Sequence, residues 1–382
     1  MKTVIGSNIP LPHKTPVKSK ARPGNYFEDF RLNQVIQHGT PRTVSDGDIA
    51  MYSALTGSRY AAHSSDPLAR ELGFPSRPLD DLLVFNIAFG KTVPEISRNA
   101  VANLGYAEVS FLAPVFSGDT LRCESAVIGL RENTNRKTGI VYVRSTCYDK
   151  NDSAVLRWVR WVMVQKRSPD AQVRESFVPD LASAVTRHQL MGHARLGSED
   201  VLEKWCEATA CKDLWDAYLP GERIDHPDGM TVEEADHMSA TRLYQNNAKP
   251  HFDALAMAGS RLGKRLVYGG HVISVCRALA YDGLENVLGV LAINGGTHVA
   301  PVVAGDTLYA YSEVIERSKF PGRRDVGAVR LRLVGLKNRA PGEVLAAQLE
   351  VSGAMAYHPA VVLDMDYTVL MPRKPSVGGR HE

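Results

Sequence analysis

Apolar and polar positions follow one another along the chain in two similar series of elements. In the first series, Thr43-Val44-Ser45-Asp46 is typical of a helix start, because apolar side chains such as Ile49 and Tyr52 recur after it at the spacing of one helix face. The run 79–89 follows. Since it is apolar nearly all round, it predicts a second, buried helix.

The second series repeats this order. Thr231 and Glu234 have the spacing of a capping box, which predicts that a helix starts there. A short irregular segment comes next. The apolar run 270–281 then predicts a long buried helix like that of the first series.

Strand patterns follow each long helix, because the sequence there alternates or is rich in β-branched residues. The predicted strands are residues 121–130, 140–149 and 154–166 in the first series and 308–316, 328–337 and 344–353 in the second. Turn residues at 133–135 and 320–322 break them into hairpins. A long apolar helix wrapped by an antiparallel sheet is an α+β arrangement, and the chain has it twice.

A repeated phrase explains the two series. Residues 114–121 read Pro-Val-Phe-Ser-Gly-Asp-Thr-Leu, and 187 positions later residues 301–308 read Pro-Val-Val-Ala-Gly-Asp-Thr-Leu. His38 and His226 also correspond, at an offset of 188. Because this period is far too long for a solenoid, it indicates one ancestral domain that was duplicated and fused.

The repeat divides the chain into four parts. Residues 25–166 form a first unit and residues 213–372 a second unit, with a partly ordered linker at 167–212. Residues 1–24 contain five basic and no acidic side chains together with four prolines. This composition predicts a flexible basic tail.

Composition excludes several classes of function. The 382-residue chain has a net charge of only +3, which does not favour nucleic acid as a partner. Five cysteines without a CxxC pair fit a reducing cytoplasm and indicate neither disulfides nor a metal site. The chain also has no apolar run of membrane-spanning length, so no membrane partner is expected.

The segment 244–253 is the first candidate for chemistry. It reads Tyr-Gln-Asn-Asn-Ala-Lys-Pro-His-Phe-Asp, and Pro250 rules out a continuous helix through it. An irregular backbone that presents an imidazole, amides, an ammonium group and a carboxylate is a common place for function. The alternative interpretation is structural, in which His251 only braces the following helix.

The second candidate is Tyr268-Gly269-Gly270-His271, at the start of the second long helix. Two glycines permit the close approach of a ligand, and the first N–H groups of a helix are unpaired donors. Such a terminus can bind an oxyanion. A plain turn would explain the two glycines equally well.

These features together resemble a known family. The repeated PVxxGDTL phrase and a His before the long helix resemble the MaoC-like (R)-specific enoyl-CoA hydratases. Runs at 93–97, 99–108, 160–164 and 244–252 are similar to the branch of mesaconyl-CoA hydratases, also called β-methylmalyl-CoA dehydratases. The resemblance implies a tandem hot-dog fold and a hydro-lyase that hydrates mesaconyl-CoA or a similar branched short enoyl-CoA reversibly.

The same resemblance implies roles for individual residues. His251 takes the position of the catalytic His, and Asn246 takes the position where the family has a catalytic Asp. Gly269 takes the position of the donor to the thioester oxygen. Asp253, Tyr268 and Gly270 are implied to lie at the substrate.

The first unit departs from this pattern. An offset of 188 aligns His63 and Ser58 with the catalytic pair, whereas an offset of 187 aligns Ser64 and Arg59, and neither supplies an Asp. Asp80 and Asp81 stand where an enolate would need a donor. We therefore expect catalysis in the second unit, with the first unit degenerate and binding the substrate tail.

A dicarboxylic acyl group would need a cation near it, because a buried carboxylate without a partner is costly. The candidates are Lys249, Arg242 and Arg59. Coenzyme A enters as part of the substrate, and no further cofactor is expected. An acyl-CoA thioesterase and a non-catalytic acyl-CoA-binding protein remain as alternatives. A homodimer of the fused chain is also compatible with the resemblance, because hot-dog units usually associate in pairs.

Overall fold

The computed structural model describes residues 20–171, 175–351 and 353–374. Most of the predicted basic tail, residues 1–19, lies outside them. The strands are β1 Val35–Gln37, β2 Arg42–Thr43, β3 Ala100–Phe111, β4 Thr120–Glu132, β5 Thr138–Tyr148, β6 Ala154–Gln165, β7 Arg223–Thr231, β8 Gly289–His298, β9 Thr307–Lys319, β10 Val326–Lys337, β11 Gln348–Val351, β12 Ala354–Tyr357 and β13 Val361–Pro372. The helices are α1 Asp46–Thr56, α2 Ala61–Ser64, α3 Asp66–Glu71, α4 Asp81–Ile96, α5 Glu199–Thr209, α6 Glu234–Leu243, α7 Lys249–Phe252, α8 Ala254–Ala258 and α9 Gly269–Leu279.

One antiparallel sheet of eleven strands runs through the described part of both units. Its order is β1-β4-β5-β6-β3-β8-β13-β10-β9-β7, with β2 paired to β4. Read from its outer edge to the middle of the sheet, the first half is β1-β4-β5-β6-β3 and the second half is β7-β9-β10-β13-β8. The two halves therefore have the same strand order. The units meet where β3 pairs with β8, with Tyr106 opposite Gly296 and Ser110 opposite Ala292.

The long helices α4 and α9 lie side by side against this sheet. Nearly every side chain of both helices is buried, as their apolar sequences predict. Asn86 of α4 donates from Nδ2 to Ser274 Oγ of α9 at 2.9 Å and to the carbonyl oxygen of Gly270 at 3.3 Å. A Cβ at Gly270 would stand 2.0 Å from Asn86 Oδ1, so glycine is required for this approach of the two helices.

Equivalent contacts recur in the two units. His38 Nε2 lies 2.7 Å from Ser125 Oγ, and His226 Nε2 lies 2.9 Å from Ser312 Oγ. His226 lies in the first strand of its unit and His38 directly after that of the other unit, and each contacts the neighbouring strand of the sheet. The duplication and the tandem α+β hot-dog arrangement predicted from the sequence are thus confirmed.

Two local predictions were wrong. Thr231 does not cap a helix; it ends β7, and its Oγ1 lies 2.8 Å from Thr307 Oγ1 of the neighbouring strand. Residues 344–353 do not form a strand of the main sheet, because β11 pairs with β12 in a separate hairpin. The strand that pairs with β10 in the main sheet is β13, at Val361–Pro372. The predicted linker contains a 3₁₀ turn at Arg187–Gln189 and helix α5.

No helix in the described residues is long and apolar enough to cross a membrane. All five cysteines are unpaired.

Candidate active site

A cavity of about 330 Å³, here called the chamber, lies between the two units. The first unit contributes Phe89 and Val93 from α4, Asn103 and Tyr106 from β3, and Arg160 from β6. The second unit contributes Asn246, His251, Tyr268, Gly269 and His298. The chamber therefore has one wall from each copy of the repeat, and its volume falls in the range of small-molecule sites.

His251 lies in α7, the short helical turn that Pro250 helps to start. Its Nδ1 lies 3.1 Å from the carbonyl oxygen of Leu266. Because a carbonyl only accepts, Nδ1 carries the proton and Nε2 is the basic nitrogen. Burial lowers the pKa of His251 to about 4, so the imidazole is neutral at physiological pH. Its Nε2 makes no hydrogen bond within the described part of the chain, and the ring lines the chamber.

Gly269 is the first residue of α9, and it also lines the chamber. Its N–H is one of the helix's unpaired first donors, and no partner for it occurs among the described residues. The N-terminus of the helix adds a partial positive charge. This arrangement can stabilise an oxygen anion, which is the chemistry predicted for Gly269.

His298 was not identified from the sequence. It ends β8, and its Nε2 lies 3.3 Å from the hydroxyl of Tyr106 in the first unit. A Cβ on Gly269 would stand 2.5 Å from this nitrogen, so glycine is needed for the ring to lie here. Burial, together with the neighbouring His251, lowers the pKa of His298 to about 4. The first unit has Phe111 at the equivalent position 187 residues earlier, and this difference between the copies could have revealed His298.

Asn246 and Tyr268 are both buried in the chamber wall. The Oδ1 of Asn246 accepts from the N–H of Ala248 at 3.1 Å, which holds the loop before α7. The hydroxyl of Tyr268 is shielded from solvent and has no hydrogen-bond partner among the described residues. Its ring lies 5.5 Å from that of His251, centroid to centroid. Both predicted residues therefore border the space in front of His251.

Arg160 belongs to the family-like run 160–164, but its place in the fold could not be predicted from the sequence. It is completely buried, and its guanidinium lies over the ring of Phe89, 4.1 Å from the centroid. Burial lowers its pKa to about 10, so it remains charged at neutral pH. None of the ion pairs among the described residues includes it.

Several predicted substrate residues lie elsewhere. Asp253 caps α8, with its Oδ1 accepting from the N–H of Ala256 at 3.0 Å. Lys249 is exposed at the start of α7. Gly270 faces α4 rather than the chamber. Arg59 is exposed, 3.4 Å from Asp282, and its guanidinium lies over Tyr281.

Arg242 lines a second, more open cavity of about 390 Å³ that shares Asn246 with the chamber. It does not reach the chamber itself. The three predicted acyl cations are thus absent from the chamber wall. A local sequence motif could not locate the cation that is there, because Arg160 belongs to the other copy of the repeat.

The equivalent region of the first unit is filled. His63 Nδ1 lies 3.3 Å from the carbonyl oxygen of Pro78, just as His251 contacts Leu266, and this match selects the offset of 188. Asp80 accepts from Ser58 Oγ at 2.9 Å, and Asp81 accepts from the N–H of Val290 at 2.7 Å. Two small cavities, of about 10 Å³ and about 50 Å³, remain beside His63 and Asp81, compared with about 330 Å³ in the chamber.

The chamber wall has two neutral imidazoles and one guanidinium but no Asp or Glu among the described residues. Neither Asp253 nor a carboxylate of the first unit therefore lies in the chamber wall to assist His251. Among the described residues, no cluster of three or more His, Cys, Asp or Glu side chains could hold a metal ion.

Comparisons with known proteins agree with this architecture. A family model described as mesaconyl-CoA hydratase matches residues 15–343. The β-methylmalyl-CoA dehydratase of Chloroflexus aurantiacus is 50% identical over 358 residues, covering 94% of this chain and 100% of that protein. The mesaconyl-CoA hydratase of Cereibacter sphaeroides is 48% identical over 358 residues, covering 93% and 100%.

Solved structures extend the comparison. A MaoC domain dehydratase from Chloroflexus aurantiacus superposes with a TM-score of 0.89 at 50% identity, covering 93% of this chain and 99% of that one. A Mycobacterium tuberculosis protein with a double hotdog fold superposes with a TM-score of 0.69 at 26% identity, covering 91% and 99%.

Proposed function

This chain belongs to the mesaconyl-CoA hydratase family, and from that premise we propose that it is a hydro-lyase acting reversibly on an enoyl-CoA thioester. The substrate pair that we assign is mesaconyl-CoA and β-methylmalyl-CoA, after the names of its relatives. Coenzyme A is part of the substrate in this proposal, and no other cofactor takes part.

One observation carries the proposal. The basic nitrogen of His251 and the unpaired N–H of Gly269 belong to residues that line the same buried chamber. Hydration of an enoyl thioester needs a base for water and a donor for the thioester oxygen. The chamber contains both, and both come from the second unit.

In the reaction, His251 Nε2 accepts a proton from water while the water oxygen forms a bond to the β-carbon of the enoyl group. The π electrons move toward the thioester oxygen, whose developing charge is stabilised by the N–H of Gly269 and the α9 terminus. The imidazolium of His251 then returns the proton to the α-carbon. The sum is the addition of one water molecule, and the reverse sequence eliminates it.

The neutral state of His251 suits this role. Its low pKa keeps the imidazole unprotonated before water binds, and the imidazolium that forms returns its proton readily. No carboxylate is needed to carry the proton in this sequence. We assign Asn246 to holding the loop and orienting water, and His298 with Tyr106 to bounding the site beside Gly269.

The test is a direct assay. We expect the purified protein to consume the enoyl absorbance of mesaconyl-CoA, with a product heavier by one water molecule, and to act more weakly on crotonyl-CoA. Release of free thiol would instead indicate a thioesterase. Binding of the thioester without loss of the enoyl band would indicate a non-catalytic acyl-CoA-binding protein.

A further inference from the structure

Arg160 has an unusual environment for a charged side chain. It lies in the middle of β6, fully buried, and among the described residues its guanidinium has only two hydrogen bonds, Nη2 to Thr92 Oγ1 at 2.8 Å and Nη1 to Ser97 Oγ at 3.4 Å. Its Nε is shielded from solvent and has no hydrogen-bond partner within residues 20–171, 175–351 and 353–374. A guanidinium has five N–H donors, so most of its capacity is unused.

A buried charge without a counterion is costly, and proteins seldom retain one without a use. The chain could have relieved the cost with a carboxylate, as it does for Arg330 and Arg332, which each pair with an Asp of β13. For Arg160 no such partner occurs in the described part of the chain. Arg160 does, however, line the chamber.

Asn103 of β3 points to the same conclusion independently. It lines the chamber too, and its Oδ1 and Nδ2 are both shielded from solvent without a hydrogen bond to any described residue. Asn103 lies opposite Val162 in the pairing of β3 with β6, two residues from Arg160. A guanidinium and an amide with unused donors thus border one region of the chamber.

We propose that Arg160, assisted by Asn103, binds a free carboxylate on the acyl group, so that the enzyme selects dicarboxylic monothioesters. This inference rests on the proposed function, and it names the group that recognises the substrate's far end. Arg–carboxylate pairs are often bidentate, and in a dry site they are strong.

The geometry assigns each end of the substrate to one unit. The thioester oxygen lies at Gly269 of the second unit, and the carboxylate lies at Arg160 of the first. Because mesaconyl-CoA carries its carboxylate on the β-carbon, holding that group also holds the carbon that water attacks. The guanidinium of Arg160 also offsets the negative charge of this carboxylate, which would otherwise repel the oxygen of the attacking water.

The experiment compares ligands that differ only in replacing this carboxylate by a methyl group. Binding is measured by calorimetry with 2-methylsuccinyl-CoA, whose thioester is beside the methyl branch, and with 2-methylbutyryl-CoA. Turnover is measured with mesaconyl-CoA and tiglyl-CoA. We expect the unaltered protein to prefer each carboxylate ligand by about 100-fold, the scale of a charge-assisted hydrogen-bonded pair.

Arg160→Met should abolish this preference while leaving the affinity for 2-methylbutyryl-CoA within about threefold. Arg160→Lys, which keeps the charge but not the fork of donors, should retain part of it. The matched control is Arg277→Met. Arg277 is also buried and stacked on an aromatic ring, 3.6 Å from the centroid of Tyr60, but it lies outside the chamber. This control should keep the full preference.

Equal binding of the two saturated ligands by the unaltered protein would overturn the inference, whatever the variants do. So would an Arg160→Met protein that keeps the preference, or one that loses both ligands alike. Failure of the proposed function is distinguishable, because it would appear as no consumption of mesaconyl-CoA by a protein that still prefers 2-methylsuccinyl-CoA.

Discussion

Gly269 lies directly against the ring of His298: a Cβ at Gly269 would stand 2.5 Å from His298 Nε2. Gly269→Ala should therefore push the imidazole away and obstruct the N–H that donates a hydrogen bond to the thioester oxygen. We expect kcat/KM for mesaconyl-CoA to fall about 100-fold, the typical effect of losing one oxyanion donor. The control is Gly259→Ala, where a Cβ meets nothing within 4 Å. Equal activity of the two variants would contradict the role of Gly269.

His251→Gln should reduce kcat by at least about 100-fold, because glutamine cannot accept a proton from water. The control is the equivalent residue of the first unit. His63 makes the same backbone contact, yet it lies in the filled region. His63→Gln should leave kcat within about threefold, and steady-state kinetics of both variants decide between catalysis and bracing. Our assignment would fail if a folded His251→Gln protein turned over normally.

Asn246→Asp should keep activity within about tenfold, since a carboxylate oxygen can still accept from the N–H of Ala248. Asn246→Leu removes that acceptor and should cost more, because it leaves the loop before His251 without its hydrogen bond. The comparison uses kcat/KM together with thermal midpoints. A severe loss in Asn246→Asp alone would indicate that the amide N–H group is needed at the water.

Acid should destabilise the protein through the imidazoles whose pKa is lowered by their surroundings in the folded chain. Burial lowers the pKa of His251, His271 and His298 to about 4, well below the ordinary value near 6.5. Between these two values the unfolded chain binds more protons, so the free energy of unfolding falls as the pH drops through that window. Asp81 acts in the opposite sense, because burial raises its pKa to about 6.

The three imidazoles lower the free energy of unfolding on acidification more than the single carboxyl of Asp81 raises it. Denaturant midpoints at pH 7, 6 and 5 should therefore decrease in that order. His298→Gln should make the decrease shallower, and Asp81→Asn should make it steeper. Turnover should stay nearly constant from pH 8 to pH 6, where His251 is neutral. A midpoint that rises on acidification would show that these imidazoles are not buried as described.

Gly90→Ala should destabilise the fold. A Cβ at Gly90 would stand 1.8 Å from the carbonyl oxygen of Tyr244, a backbone atom that cannot move aside cheaply. We expect a loss of about 2–4 kcal/mol in the free energy of unfolding, as for overpacked sites. Gly47→Ala, in α1 with its nearest atom at 3.4 Å, should change it by less than about 1 kcal/mol. Chemical denaturation of both variants provides the measurement.

The sequence predicted the duplicated fold well, because buried helices and alternating strands are local patterns. It failed at residues 344–353, where Gln348–Val351 pairs in a separate hairpin and the strand of the main sheet comes later. Local pattern does not specify which strands pair. It also suggested a capping box at Thr231, which instead ends a strand.

Within the candidate site, the residues predicted from local motifs meet in the chamber: His251, Asn246, Tyr268 and Gly269. Of the chamber residues that were missed, His298 ends β8 of the second unit, whereas Arg160 and Tyr106 come from the first unit. Only the pairing of β3 with β8 and the packing of α4 on α9 bring these two there. Lys249, a candidate cation for the acyl carboxylate, lies two residues from His251 in the chain. Closeness along the chain did not place it in the chamber.

The pairing of β3 with β8 also constrains how this protein can be built. Each wall of the chamber is encoded by a different half of one gene, and the halves are not interchangeable, because one supplies the guanidinium and the other the imidazole. Two separate polypeptides would have to find each other and avoid pairing with themselves. Fusion guarantees one copy of each wall in every molecule. A symmetric dimer would have two equivalent chambers, and in the fused chain the second of them can be filled with packed side chains.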